Sequence, residues 1–233
     1  MRELTLPLKV IVMKLRIGFT IGLAAALLIA TSASSVFAQK QKVNMLEIEQ
    51  RLNDLGYWIT KVDGRSDDST RQAILAFQKV EGRKRTGVMS AADLELLQTA
   101  QKPTPKYNDG TAHVEVDISR QVLFYVGADG VVEKIVAVST GNEAKYFDDG
   151  TWQKAHTTRG NFKVLWKYNG VRKASLGDLY YPSYFNGGIA VHGSPSIPAF
   201  PASHGCVRVP RFADKALYKM MPVGTPVYVY DKI

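Results

Sequence analysis

The sequence predicts a multi-domain protein: a small three-helix bundle followed by a mainly β domain built as a sandwich or barrel. Three observations carry this. Apolar residues recur at helical spacing through 46–100, the pattern switches to alternation from Ala112, and a segment with two prolines lies between them.

Residues 43–101 read as the helical module. Ile48, Leu52 and Leu55 fall on one helical face, and Gly56 is placed to stop that helix. Asp63-Gly64 marks a turn. A second helix is expected to start at Ser69 as N-cap, with Gln72 at the reciprocal position and Ala73, Ile74, Phe77 and Val80 as its buried face. A third starts at Ser90, with Asp93 completing the cap and Met89 and Leu94 forming a staple; Leu97 and Ala100 continue its stripe. Tyr57 and Trp58 serve either as core or as exposed sugar platforms. Residues 102–111, with Pro103 and Pro105, are expected to form a stiff spacer.

Residues 112–230 read as the β domain. Val114, Val116 and Ile118 alternate with Glu115 and Asp117, as in a half-buried strand. Gln121–Val126 and Val131–Ser139 flank the hairpin signal Asp129-Gly130. Further strands are expected over Asn161–Lys167, Gly188–His192 and Val227–Tyr230, and one helix over Arg211–Met221.

The first 38 residues differ in kind. Gly18–Ala30 is apolar and uncharged, follows Lys14 and Arg16, and precedes Val36 and Ala38 at positions suited to a signal peptidase. The stretch is shorter than the roughly 20 residues a spanning helix needs, so residues 1–38 read as a cleaved signal peptide, with no stable membrane anchor afterwards. The protein is therefore expected outside the cytoplasm, in the periplasm or cell wall. The formal charge is +9; the leader holds four basic residues and one acidic, which leaves about +6 for the rest. That suits an anionic polymer. Nucleic acid is set aside, because no nucleic-acid motif is present and the chain is exported.

Cys206 is the single cysteine and stands in "PASHGCVRVP". A lone thiol in an oxidising compartment has no intramolecular partner. Its neighbours Ser203, His204, Gly205 and Arg208 are polar or minimal, unlike a packing site. Zinc bound by Cys206, His192 and His204 lacks the usual ligand spacing, so no metal and no cofactor is expected. A nucleophile fits better: an imidazole takes the thiol proton and returns it to a leaving amine, Arg208 adds positive charge, and Gly205 gives the backbone freedom to aim amides at an oxyanion. Spacing alone leaves both His204 and His192 open as the base. His113 and His156 read as surface or structural groups.

Two resemblances sharpen this reading. "LGYWITKVDGRSDDSTRQAILAFQKVEGRKRTGVMS" resembles the three-helix peptidoglycan-binding module at Leu55-Gly56-Tyr57, Asp63-Gly64, Thr70, Ala73, Phe77-Gln78 and Thr86-Gly87-Val88. "IAVHGSPSIPAFPASHGCVRVP" resembles the active-site signature of the L,D-transpeptidase catalytic domain, the YkuD-like family, through His192, Ser203, His204, Gly205, Cys206, Val207 and Arg208. "VEVDISRQVLFYV" and Ser139-Thr140-Gly141 resemble the start of that domain, whereas "HTTRGNFKV" lacks a proline that many relatives carry.

The resemblance implies a β-sandwich and acyl transfer on the stem peptides of peptidoglycan, whose glycan strand and stem peptides are the expected partners. Cys206 would be acylated, and His192 would move the proton, oriented by a carbonyl near Gly193. His204, Gly205 and Ser203 would shape the oxyanion site, and Arg208 would meet the donor peptide. Tyr184, with Tyr180, Tyr181 and Phe185, would line the approach. The product would be a 3→3 cross-link formed through a thioester, with carbapenems as inhibitors. The same site could act as an L,D-carboxypeptidase, or attach and detach proteins on the wall.

Overall fold

The computed structural model describes residues 44–231, and the leader expected over 1–38 lies outside them. Helix α1 (Met45–Asp54) is capped by Asn44, whose side chain accepts from Leu46 N–H. Helix α2 (Asp68–Val80) starts one residue before Ser69. Its cap is Asp67, which accepts from Thr70 N–H at 2.8 Å while the Thr70 hydroxyl faces the Asp67 amide. The Ser69 hydroxyl is instead drawn to Asp67 and Thr60, which is why the expected Ser69/Gln72 box does not form. Helix α3 (Ala91–Thr99) begins on the Ser90/Asp93 box that the spacing predicts.

The helices close over Ile48, Leu52, Ile74, Phe77 and Leu97, all essentially sealed from solvent. Each such side chain contributes about 1.5–3 kcal/mol by leaving water. Tyr57 belongs to this core, packed edge-on against Phe77 at 5.7 Å, so it is no sugar platform.

The β domain is two sheets face to face. Strands β1 (His113–Asp117), β2 (Val122–Val126) and β3 (Val132–Ala137) run antiparallel. The two-stranded hairpin β4 (Lys145–Asp148) and β5 (Thr151–Lys154) stands apart. Then come β6 (Gly160–Lys163), β7 (Trp166–Lys167), β8 (Val171–Arg172), β9 (Leu179–Asn186), β10 (Ile189–Ser194) and β11 (Val207–Pro210), helix α4 (Arg211–Met220), and β12 (Pro226–Tyr230). One sheet has the order β3-β2-β1-β12-β6; the other runs β11-β10-β9-β7, with β8 also on β9. Val114, Val116, Leu123 and Val227 from the first meet Phe185, Val191, Val207 and Val209 from the second, and α4 adds Ala213 and Leu217.

The strand expected over Asn161–Lys167 is two strands in different sheets. The chain crosses at Val164 and Leu165, whose amides bond to Thr225 O in one sheet and Tyr184 O in the other.

Strand β2 is buried on both faces: Leu123 enters the sandwich core, while Val122, Phe124 and Val126 enter the helical core. That explains an apolar run without alternation. The helical module and the sandwich therefore share a core. Residues 102–111 do not hold them apart. The Lys106 and Tyr107 amides donate to Glu115 at 2.9 and 2.7 Å, and the Tyr107 ring stacks on Tyr228 at 4.2 Å. This cover buries Glu115, while Asp117 is buried with Arg120 bonded to it, so β1 is closed on both faces and is not half-buried.

Candidate active site

Strands β10 and β11 lie side by side and parallel, with Val191 opposite Val207 and His192 opposite Arg208. Residues two apart on a strand share a face. Val191, Val207 and Val209 face the core. Ala190, His192, Cys206 and Arg208 thus fall on the other face. Tyr184, paired with Ala190, and Trp166, paired with Tyr184, extend the row.

A bulge in the β9–β10 pairing falls between Val191 and Gly193, at His192, where such an irregularity re-aims a side chain. Gly193 is required by close approach: a Cβ there would stand 2.2 Å from Asp214 Oδ2 of α4. Its carbonyl is 2.8 Å from His192 Nδ1. That bond places the proton on Nδ1 and leaves Nε2 free to accept.

The turn bearing Cys206 is held from several sides. Ala202 and Ser203 amides donate to Thr140 O, and Asn142 N–H donates to Ser203 O. The Ser203 hydroxyl donates to Cys206 O at 2.6 Å and accepts from Gly205 N–H at 3.0 Å. Thr157 Oγ1 donates to Gly205 O at 2.6 Å. Gly205 has φ +137°, in the region where glycine is favoured, and a Cβ there would reach His156 O at 3.0 Å. The Gly205 amide is thus engaged by Ser203.

Cys206 is half-buried; its sulfur accepts from Ala190 N–H at 3.5 Å and lies 3.7 Å from Gly188 O. Burial pushes the thiol up, against the Ala190 N–H and the Arg208 charge, which lower it. Burial also holds His192 down at about 4; the Gly193 carbonyl opposes this and Arg208 reinforces it. Both groups are therefore neutral at rest. A standing thiolate, expected from the neighbouring imidazole, is not what this environment favours.

These residues floor a cavity of about 780 Å³. His192, His204, Ser203, Gly205, Cys206, Arg208 and Tyr184 all line it. His204 is turned toward the β4–β5 hairpin, its ring edge-on to Tyr146 at 4.7 Å. Tyr184 is covered by Trp166, stacked at 3.8 Å, with the Arg172 guanidinium 5.3 Å from its ring centre. Tyr180 lines the cavity, Phe185 is core, and Tyr181 packs on Tyr218.

His156 is, as expected, a partly exposed group, here ion-paired with Glu143. It lines the same cavity, with Nδ1 2.9 Å from Glu143. Sequence reading also passed over Trp166, Arg172, Tyr146 and Lys154, which line the cavity from elements with little apolar alternation. His113 is buried and structural, beside Glu115. Among the described residues no group of three or more His, Cys, Asp or Glu side chains is arranged to hold a metal ion.

The L,D-transpeptidase catalytic domain (YkuD) pattern matches residues 111–229. The chain belongs to this family. A peptidoglycan-binding domain pattern matches residues 41–97 of the same L,D-transpeptidase family member. It is similar to an L,D-transpeptidase (residues 123–326) from Xylanimonas cellulosilytica DSM 15894, with 43% identity and TM-score 0.77 over 81% of this chain and 94% of that one. It is also similar to an L,D-transpeptidase from Stackebrandtia nassauensis, with 25% identity and TM-score 0.47 over 80% of this chain and 90% of that one. No curated protein matches the chain. Among the described residues no helix is long and apolar enough to cross a membrane.

Proposed function

We propose that the protein is a cysteine-dependent L,D-transpeptidase that forms 3→3 cross-links between peptidoglycan stem peptides outside the cytoplasm. The observation that carries this reading is the His192–Gly193 hydrogen bond of 2.8 Å, on the sheet face shared with Cys206. It fixes an imidazole tautomer able to take a proton, beside a thiol at the floor of an open cavity.

Cys206 Sγ attacks the carbonyl of the third stem residue, forming an S–C bond while the thiol proton passes to His192 Nε2. The resulting oxyanion is met by the Cys206 N–H, aimed by the Ser203 and Gly205 contacts. Collapse breaks the C–N bond, and the imidazolium gives its proton to the departing D-alanine amine. The thioester is then attacked by the side-chain amine of a second stem peptide. His192 removes that amine's proton and returns it to the leaving sulfur. Burial that keeps the imidazole neutral suits it to accept a proton at the start of each half-reaction. The helical module holds the enzyme on peptidoglycan.

The test is incubation of purified muropeptides with the wild-type chain and with Cys206→Ala, read by mass spectrometry. Wild type gives cross-linked dimers and a carbapenem adduct on Cys206; the variant gives neither while keeping its circular dichroism spectrum. Turnover by Cys206→Ala refutes the nucleophile. Trimmed monomers without dimers indicate an L,D-carboxypeptidase.

A further inference from the structure

A second cavity, of about 340 Å³, lies between the helical module and the sandwich. Its walls are α2 and the turn at Arg85–Gly87 on one side, and Ser194–Ala199 with Pro210 and Arg211 on the other. Among the described residues, two features of its lining lack a counterpart. Gln72 lines it, is only 8% exposed, and has a buried Oε1 without a hydrogen-bond partner. An acceptor buried without a partner destabilises the fold. Arg85 lines it too, and its guanidinium reaches only two neutral carbonyls, Ala199 O and Ser119 O, each at 3.2 Å. The other cations are matched: Arg71 by Asp68 at 3.0 Å and Arg211 by Asp214 at 2.8 Å. The cavity thus presents an unmatched positive fork and an acceptor awaiting a donor.

That pairing fits a peptide end: a carboxylate for Arg85 and an amide N–H for Gln72. A bidentate guanidinium–carboxylate contact supplies both strength and orientation. The cavity also borders the first one, because Ser194 and Pro195 line both. Those residues follow directly on His192 and Gly193 in β10 and its exit. A peptide leaving the second cavity across this ridge arrives at the side of the base that must deprotonate an incoming amine.

We propose that this cavity is a second binding site, for an acidic peptide, and that it seats the acceptor stem peptide of the cross-linking reaction. The proposal rests on the transpeptidase reading for the identity of the peptide, while the site itself is defined by Arg85 and Gln72.

The experiment uses the chain from residue 39 onward with Cys206→Ala and a soluble acidic stem tetrapeptide, following backbone amide NMR signals. The expected result is two sets of shifted signals, one at Gly87 and Gln72 and one at Gly188 and Gly205. Arg85→Met weakens the first set at least tenfold and leaves the second unchanged. Gln72→Leu also weakens the first set, yet leaves the thermal midpoint equal or higher, since it removes an orphaned acceptor. A merely structural glutamine would give the opposite sign in stability. Shifts confined to Gly188 and Gly205, or Gly87 shifts of unchanged affinity in both variants, overturn the site. Shifts at Gly87 together with a wild-type chain that makes no dimers sink the transpeptidase reading and keep the site.

Discussion

Lys79 of α2 donates from its buried ammonium to the backbone carbonyl of Gln121 at 3.1 Å, and to that of Val138 at 2.9 Å. The Gln121 side chain in turn bonds Thr140 through both its amide ends, and Thr140 O receives the Ala202 and Ser203 amides. A continuous hydrogen-bonded path therefore joins the helical module to the turn carrying Cys206. The module is part of the scaffold of the site.

This lysine makes stability depend on pH. Burial lowers it to about 7, with Arg85 adding to the effect, while in the unfolded chain it keeps its proton to about 10.4. Between those values the unfolded state binds more protons, so stability rises with pH. From pH 7 to 9 the gain is on the order of 2 kcal/mol. Urea midpoints in a Cys206→Ala background check this, and Lys79→Met should flatten the slope. The window stops at 9 because Tyr57 and Tyr230 are both raised, and the unfolded tyrosines begin to ionise near 10.

The neutral thiol–imidazole pair predicts an alkylation profile. The rate of iodoacetamide modification of Cys206 should rise in a single step above the ordinary thiol value near 8.5. A fast plateau at pH 5–7 would indicate a standing thiolate–imidazolium pair and defeat the assignment. In steady-state turnover, the acid limb should lie near the His192 value of about 4, well below the usual 6.5. His192→Gln should lower kcat by about 10²–10⁴-fold.

Much of this site was legible in the chain, because His204, Gly205, the thiol and Arg208 all sit within one five-residue stretch. The strand carrying His192 was legible from "GGIAVHG", although it runs on to Ser194. Three things were not. Glu115 and Asp117 alternate with valines and so imply a wet face, yet both are buried, Glu115 under the distant segment around Tyr107 and Asp117 paired with Arg120. Strand β9 contains Pro182 and a cluster of tyrosines, which obscures its alternation. The β4–β5 hairpin is exposed or half-exposed along its length, so no burial pattern marks it in sequence.

Gly205→Ala tests the geometry of the turn. The φ of +137° excludes ordinary side chains, and the added Cβ would crowd His156 O at 3.0 Å. The strain is about 1–3 kcal/mol. Relief requires the Cys206 amide to rotate, so acylation by a carbapenem should slow at least tenfold, while the melting midpoint falls by only a few degrees. An unchanged acylation rate would mean that the amide does not meet the oxyanion.

The last prediction concerns Glu115, which fixes the segment between module and sandwich. It accepts from Lys106 N–H, Tyr107 N–H and the Tyr230 hydroxyl, at 2.9, 2.7 and 3.1 Å, and is fully buried. Glu115→Ala would leave three donors without an acceptor, each costing about 1–3 kcal/mol if it stays buried. The cheaper response is for residues 102–109 to lift off the sheet and hydrate. The Lys106–Tyr107 bond, whose two flanking amides Glu115 holds on the sheet, is then released, so limited trypsin digestion should cut the variant after Lys106 faster than the wild type. The shared core around Phe77, Phe124 and Ile135 does not pass through Glu115. The two fragments should therefore stay associated on gel filtration and separate only in denaturant; fragments that part without denaturant would show that the spacer, and not the shared core, joins the module to the sandwich.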